Sequence, residues 1–235
     1  MLASIKKAVE TVFGVSNSDF KGASPPLIAQ RLNQFFPSFI TMDLNDFDKL
    51  IQFPSMTTQK ERHFLFLLSL MSSIKGDVVE IGSWLGGTTS YLAKGCQVAS
   101  NGKVIAIDHF EGNPGKEELY RAEVREDETI FQVFQRNISI AGMTEHVQAL
   151  KMDSLSARKI IQEPVRMVFI DGNHEYDSVK QDIQLWEPLL KSGGYLVFHD
   201  FTNAEGVSAA VRELDSEKYK ICVLVDSMLV LFSHC

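Results

Sequence analysis

An α/β fold built on a doubly wound, mostly parallel sheet of seven strands is predicted by three features of this sequence. Residues 78–90 read VVEIGSWLGGTTS, a β-branched strand that ends in a glycine-rich turn and opens into a helix. From residue 76 onward, short apolar runs alternate with helical stretches, the pattern of parallel strands joined by crossover helices. The last two apolar runs are separated only by Asp226-Ser227-Met228, short enough for a hairpin, so the last strand should run antiparallel. At 235 residues, 45% apolar and 23% charged, the chain can bury one such domain with an added segment.

Residues 1–75 read as an N-terminal helical segment ahead of the domain expected over residues 76–235. Ser4 to Phe13 forms a short amphipathic pattern stopped by Gly14, and Leu27 to Phe36 follows the turn-rich GASPP break. Pro37 and Pro54 punctuate the stretch beyond it. Thr58-Gln-Lys-Glu61 has the form of a capping box before the apolar run Phe64 to Met71, which should pack on the sheet. The segment reads as a packing extension, a substrate lid or a dimer arm.

In the domain itself, strands are expected at Val78–Ile81, Val104–Asp108, His146–Leu150, Val165–Asp171, Tyr195–His199, Tyr219–Val225 and Leu229–Phe232. Helices are expected at Thr88–Ala99, Lys116–Ile140, Ser154–Ile161, Ser178–Lys191 and Ala204–Ser216. Val179, Ile183, Trp186 and Leu190 recur at helical spacing, and Gly193-Gly194 should end that helix.

The net charge of −7, with no compensating basic stripe, argues against nucleic acid as a partner. No apolar run reaches the ~20 residues of a membrane span. Cys96, Cys222 and Cys235 have neither metal-ligand spacing nor a disulfide framework and suit a reducing compartment. The expectation is a cytoplasmic protein that self-associates and acts on a small molecule.

A strand, a glycine-rich turn and a helix form a place where a nucleotide-like ligand meets exposed backbone amides. The dinucleotide fingerprint begun at Gly82 would need glycine at position 84, so that a pyrophosphate can approach. Position 84 is Trp. A ligand with an adenosine and no pyrophosphate fits better. In a doubly wound sheet, ligands lie at the carboxyl ends of the strands. Those ends carry Glu80, Asp108, Asp153, Asp171 and the His199-Asp200 pair. A single Asp there commonly starts a turn or caps a helix. Acids at all five ends point to a functional cleft.

VVEIGSWLGGTTSYLA, VIAIDHFEG, FIDGNHEYDSVKQDIQLWEPLL and SGGYLVFHDF, in this order, resemble the Rossmann-like class I S-adenosylmethionine-dependent methyltransferases. Within that class the chain is most similar to the small-molecule and sugar O-methyltransferases grouped with macrolide and aminocoumarin tailoring enzymes. The resemblance implies S-adenosylmethionine as cofactor and a hydroxylated small molecule, such as a sugar or glycosylated metabolite, as acceptor. It implies that Glu80 reaches the ammonium of the cofactor's amino-acid end or holds the turn in shape. Gly82 and Gly86 would let the cofactor approach, with Ser83, Trp84 and Thr88 along the same turn. Asp108 would accept hydrogen bonds from both ribose hydroxyls, as a carboxylate can. His109 would pack on the adenosine or simply lie at the surface. Asp153 and Ser154 would contact the adenine amine, or cap the next helix.

Methyl transfer from a sulfonium needs a positioned acceptor that loses its proton. The resemblance makes Asp171, which also borders the cofactor site, a metal ligand and His174, three residues on, the general base. Histidine suits that task because an ordinary imidazole is largely neutral near pH 7. A divalent metal on Asp171 and Asp200 would lower the acceptor's pKa. The sequence departs from metal-dependent relatives in having His199 where they carry an oxygen ligand. Magnesium prefers oxygen donors, whereas imidazole favours manganese, iron or zinc. His199 is otherwise a second acid–base group or a support for the turn. Three alternatives compete: a cofactor-binding regulatory protein without turnover, a metal-dependent hydroxylase-like tailoring enzyme, and a nicotinamide-dependent oxidoreductase.

Overall fold

The computed structural model describes residues 50, 52–112 and 123–234. The segments Ser4 to Phe13 and Leu27 to Phe36 lie outside these residues. The seven strands are β1 (Val78–Ile81), β2 (Val104–Asp108), β3 (Val147–Lys151), β4 (Val165–Ile170), β5 (Leu190–Phe198), β6 (Tyr219–Val225) and β7 (Met228–Ser233). They form one sheet in the order β3-β2-β1-β4-β5-β7-β6. The first five run parallel to one another, and β7 is inserted antiparallel between β5 and β6. The α/β doubly wound sheet with an antiparallel last strand is as the sequence predicts.

The helices α1 (Gln59–Met71), α2 (Gly87–Ala99), α3 (Ile130–Ile140), α4 (Ser154–Ile160), α5 (Tyr176–Trp186) and α6 (Glu205–Val211) cover both faces. On one face Phe64, Leu68, Leu92, Phe134 and Ile138 pack against Val78, Val104, Met167 and Val197. On the other, Ala157, Val179, Trp186 and Val207 pack against Val79, Ile105, Val168 and Leu196. Neighbouring strand residues therefore alternate between the layers, as the two-residue period of a strand requires.

Helix α1 starts as expected: Thr58 Oγ1 accepts from the Glu61 amide, and Glu61 Oε2 accepts from the Thr58 amide. Its apolar run then joins the same core as α2 and the sheet. Several boundaries differ from expectation, among them the end of α6, at Val211 rather than Ser216. Helix α3 begins at Ile130 rather than near Lys116 among the described residues, because Thr129 and Gln132 form a capping box of their own. Helix α5 ends at Trp186, where Pro188 tightens the chain into a 3₁₀ turn, Glu187–Leu189. Gly193 and Gly194 consequently lie inside β5 instead of ending a helix; a Cβ at Gly194 would sit 2.7 Å from the Arg166 carbonyl oxygen.

Arg166 closes the amino-terminal side of the sheet. Its buried guanidinium donates to the carbonyls of Ser69, Gly76 and Asn101 and to Cys96 Sγ. One cation thereby ties the end of α1, the approach to β1 and the end of α2 to β4.

Candidate active site

A cleft of about 690 Å³ opens at the carboxyl ends of the strands, within the size range of small-molecule sites. The turn after β1 forms one wall. Gly82 adopts φ +88°, and a Cβ there would lie 2.2 Å from the Asp171 carbonyl oxygen, so only glycine lets β1 end against the β4 turn. Trp84 follows at φ +43°, a conformation costly for a bulky residue. Its amide donates to Asp108 Oδ2 at 2.8 Å, while the Phe110 amide donates to Asp108 Oδ1 at 2.7 Å. The turn amide is thus spent on a carboxylate rather than left for a pyrophosphate. Asp108 lines the cleft, and each of its oxygens has capacity for a second accepted bond.

Glu80 and Gly86 do not line this cleft. Glu80 is fully buried beneath the turn, where Oε2 accepts from Ser83 Oγ at 3.0 Å and Thr89 Oγ1 at 2.5 Å. Burial raises its pKa to about 8 against the pull of these two hydroxyls. Of the two expected roles, these bonds match holding the turn; Oε1 is buried with no hydrogen-bond partner among the described residues. Gly86, at φ +84°, caps α2 from behind and faces Phe134 and Ile138. Thr88 borders the cleft, but its hydroxyl is shared with Ser55 and Thr57, each at 3.0 Å. The residues ahead of α1 are thereby tied to the start of α2.

Along the far end of the cleft lie His109, half exposed, and the start of α4. Asp153 caps that helix: its two oxygens accept from the Ser156 amide and hydroxyl, each at 2.8 Å. These bonds, the amide above all, hold its pKa below the ordinary value. Ser154 Oγ accepts from Trp186 Nε1 at 2.7 Å. Asp153 therefore caps the helix, Ser154 instead holds the Trp186 ring, and both still line the cleft. Asp182, from α5, joins them; burial raises its carboxyl to about 6 despite a hydrogen bond with Ser154.

The opposite end holds the chemical groups. Asp171 follows β4, and His174 sits in the next turn, whose carbonyl at His174 lies 2.3 Å from where a Cβ on Gly206 would project. His174 Nε2 is 3.5 Å from Asp200 Oδ2. Asp200 holds φ +51°, and its Oδ1 accepts from Asn203 Nδ2 at 2.9 Å. Asp171, His174 and Asp200 each offer a ligand atom within 4.8 Å of the others, a donor set able to hold a divalent ion.

His199 is not part of that set. It is buried, with Nδ1 3.0 Å from Asp171 Oδ1 and 3.2 Å from Asp200 Oδ2, and Nε2 3.2 Å from Glu61 Oε2. Carboxylates beside both ring nitrogens favour the doubly protonated ring, which has no lone pair for a metal. Burial opposes the charge, but hydrogen bonds to Asp171, Asp200 and Glu61 outweigh it and push His199 up to about 12. Asp200 is held below its ordinary value, first by that same contact. Asp171, more deeply enclosed, is raised by burial. Of the roles open to His199 in the sequence, this buried place among three carboxylates fits support of the site.

Sequence reasoning missed Glu61, which it read only as a helix cap, and Asp182, which lay inside a helical pattern. It also missed Ser55 and Met56, which border the cleft. Their residue types carry no motif, and their places follow from long-range packing alone.

A family model described as a methyltransferase domain matches residues 79–201, just over half of the chain. The chain belongs to this methyltransferase-domain family. Among curated proteins it is similar to the uncharacterised protein R132 of Acanthamoeba polyphaga mimivirus, 24% identical over 169 residues, 67% of this chain and 70% of that one. Its fold resembles that of the O-methyltransferase NovP, with a TM-score of 0.63 at 14% identity, covering 100% of this chain and 99% of NovP. It also resembles an O-methyltransferase of Bacillus cereus solved in complex with SAH, with a TM-score of 0.57 at 14% identity, covering 88% and 97%. No helix among the described residues is long and apolar enough to cross a membrane.

Proposed function

We propose that the protein transfers the methyl group of S-adenosylmethionine to a hydroxyl of a small molecule, a sugar or glycosylated metabolite being the acceptor class favoured. The observation that carries this reading is one cleft with Asp108 on one wall and the His174–Asp200 pair on the other. Asp108, with a free lone pair on each oxygen, accepts from the two ribose hydroxyls. Gly82, Ser83 and Trp84 border the cofactor, with Asp153 and Ser154 at its adenine end.

His174 is the general base. With its Nε2 proton toward Asp200, its Nδ1 lone pair is available to the acceptor. The acceptor oxygen gives its proton to His174 and attacks the methyl carbon. The S–CH₃ bonding pair stays on sulfur, which leaves S-adenosylhomocysteine and a methyl ether. Asp171 and Asp200 would hold a divalent ion, which when bound would acidify the acceptor hydroxyl. A neutral imidazole has one lone pair, so a His174 that accepts the proton does not also bind that ion. The net charge of −7 favours a small acceptor over nucleic acid.

The test is calorimetric binding of S-adenosylhomocysteine, followed by a screen of catechols, nucleoside-diphosphate sugars and glycosides for S-adenosylhomocysteine production. Binding without turnover on any acceptor would favour a regulatory protein, and oxygen consumption with added iron would favour a hydroxylase. Tight binding of a nicotinamide dinucleotide would overturn the reading altogether.

A further inference from the structure

We infer that Glu61 is a positioning residue of the methyl-transfer site, acting through His199 on the two carboxylates that face the acceptor. The inference rests on the methyltransferase reading for its catalytic consequence, but its structural content stands apart from it. Glu61 is completely buried, yet it is surrounded by donors from three separate places in the chain. Oε1 accepts from the Ser227 amide at 3.0 Å and its hydroxyl at 2.9 Å, in the turn between β6 and β7. Oε2 accepts from the Thr58 amide at 2.7 Å and from His199 Nε2 at 3.2 Å.

A carboxylate used only to cap α1 needs one of these bonds. The other three fix the side chain from the far side, and one of them fixes a ring. With Nε2 held by Glu61, the His199 ring is fixed with Nδ1 3.0 Å from Asp171 Oδ1 and 3.2 Å from Asp200 Oδ2. Those two aspartates come from different loops, and among the described contacts His199 is the one side chain that touches both. Remove the outer hold and the ring is free to turn. The two carboxylates then lose the ring nitrogen that lies within 3.2 Å of both. Displacements of ~1 Å at such a site lower rates on the order of a hundredfold.

Neither Glu61 nor Ser227 lies within residues 79–201, the part matched by the family model. His199 does. The brace for the site is thus supplied by portions of this chain that flank the shared domain, one on each side, and it gives the segment ahead of β1 a catalytic consequence.

The experiment compares Glu61→Gln with Thr58→Ala, which removes the hydroxyl that caps α1 and donates to Asp226 Oδ2 but leaves the backbone amide and Glu61 in place. Crystal structures of both variants with S-adenosylhomocysteine should show the His199 ring turned away from Asp171 and Asp200 only in Glu61→Gln. Unchanged positions of all three side chains in Glu61→Gln would overturn the proposal, whatever the turnover. With the fastest acceptor of the catechol and glycoside panel, Glu61→Gln should lower kcat about a hundredfold and leave S-adenosylhomocysteine affinity within about threefold. Thr58→Ala should keep kcat within about threefold. Adding Glu61→Gln to His199→Ala should change kcat less than about twofold, because a residue that acts through His199 has nothing left to act on. Multiplying effects in that pair would also overturn the proposal. Should Glu61→Gln fail to fold, Ser227→Ala removes a donor to the same carboxylate, together with a hydroxyl 3.5 Å from His199 Nε2, and should lower kcat about fivefold; full activity there would count against the proposal. A wild-type protein that turns over no acceptor would instead sink the methyltransferase reading, and the crystal structures would still decide the role of Glu61.

Discussion

The Trp84 amide donates to Asp108 Oδ2 at 2.8 Å, joining the turn after β1 to the end of β2. The carboxylate proposed to hold the ribose is therefore also the group that stabilises Trp84 in a left-handed conformation. Asp108→Asn places an NH₂ against one of two backbone donors. The variant should bind S-adenosylhomocysteine about 10- to 100-fold more weakly, as measured by calorimetry, with a lowered melting temperature. Unchanged affinity would remove Asp108 from the cofactor site.

His174→Ala should lower kcat by about 10²- to 10⁴-fold while S-adenosylhomocysteine binds as before. The half-buried ring touches Asp200 at the edge of the cleft, so the fold should tolerate its loss. Stopped-time assays of product formation separate the two effects. Retained turnover would assign proton removal elsewhere.

Glu80→Gln tests which of two jobs the buried acid performs. If Glu80 holds the turn, a neutral amide that still accepts from Ser83 and Thr89 serves nearly as well, and cofactor affinity should change by less than about threefold. A loss of a hundredfold would restore the ammonium-binding role.

Asp182 makes stability depend on pH. Its carboxyl is raised by burial from 3.8 to about 6, so folding favours its protonated form. That contribution is complete below about pH 4 and is lost as the pH rises through 6. Above pH 6 the wild type buries a charge that Asp182→Asn does not. The variant should match the wild type near pH 4.5 and exceed it by about 1–2 kcal/mol at pH 8 in thermal or urea melts. A gap that shrinks with rising pH would contradict this sign.

Gly82→Ala should be among the most damaging single-methyl changes in the domain. The new Cβ would meet the Asp171 carbonyl oxygen and also demand a positive φ. A loss of at least about 2 kcal/mol is expected in denaturant melts, together with weaker cofactor binding.

Much of the fold was legible because its signals are local. β1, β2 and β6 have the boundaries that their apolar runs suggest, and Thr58 with Glu61 starts α1 as a capping box should. The acids at the strand ends were legible for the same reason, since a parallel sheet brings those ends together. The order of the last strands was not. A hairpin link at Asp226-Ser227-Met228 makes β6 and β7 neighbours, but it does not say which of them joins β5. That choice is made by β5, whose Leu196 and Val197 pair with Leu231 and Val230. The second task of Glu61 was hidden for a related reason: its contact with His199 spans 138 residues, and no local pattern encodes it.

The insertion of β7 also sets an order of events during synthesis. The outer edge of β5 pairs with β7, which follows β6 in the chain, so this edge is completed only once β7 is made. Until β7 slots between them, Ser227 is not held against Glu61, and the ring of His199 has no outer anchor. A nascent chain halted after β6 would own every residue that faces the cofactor and still lack a braced reaction centre, so maturation of the site is coupled to the closing step of folding.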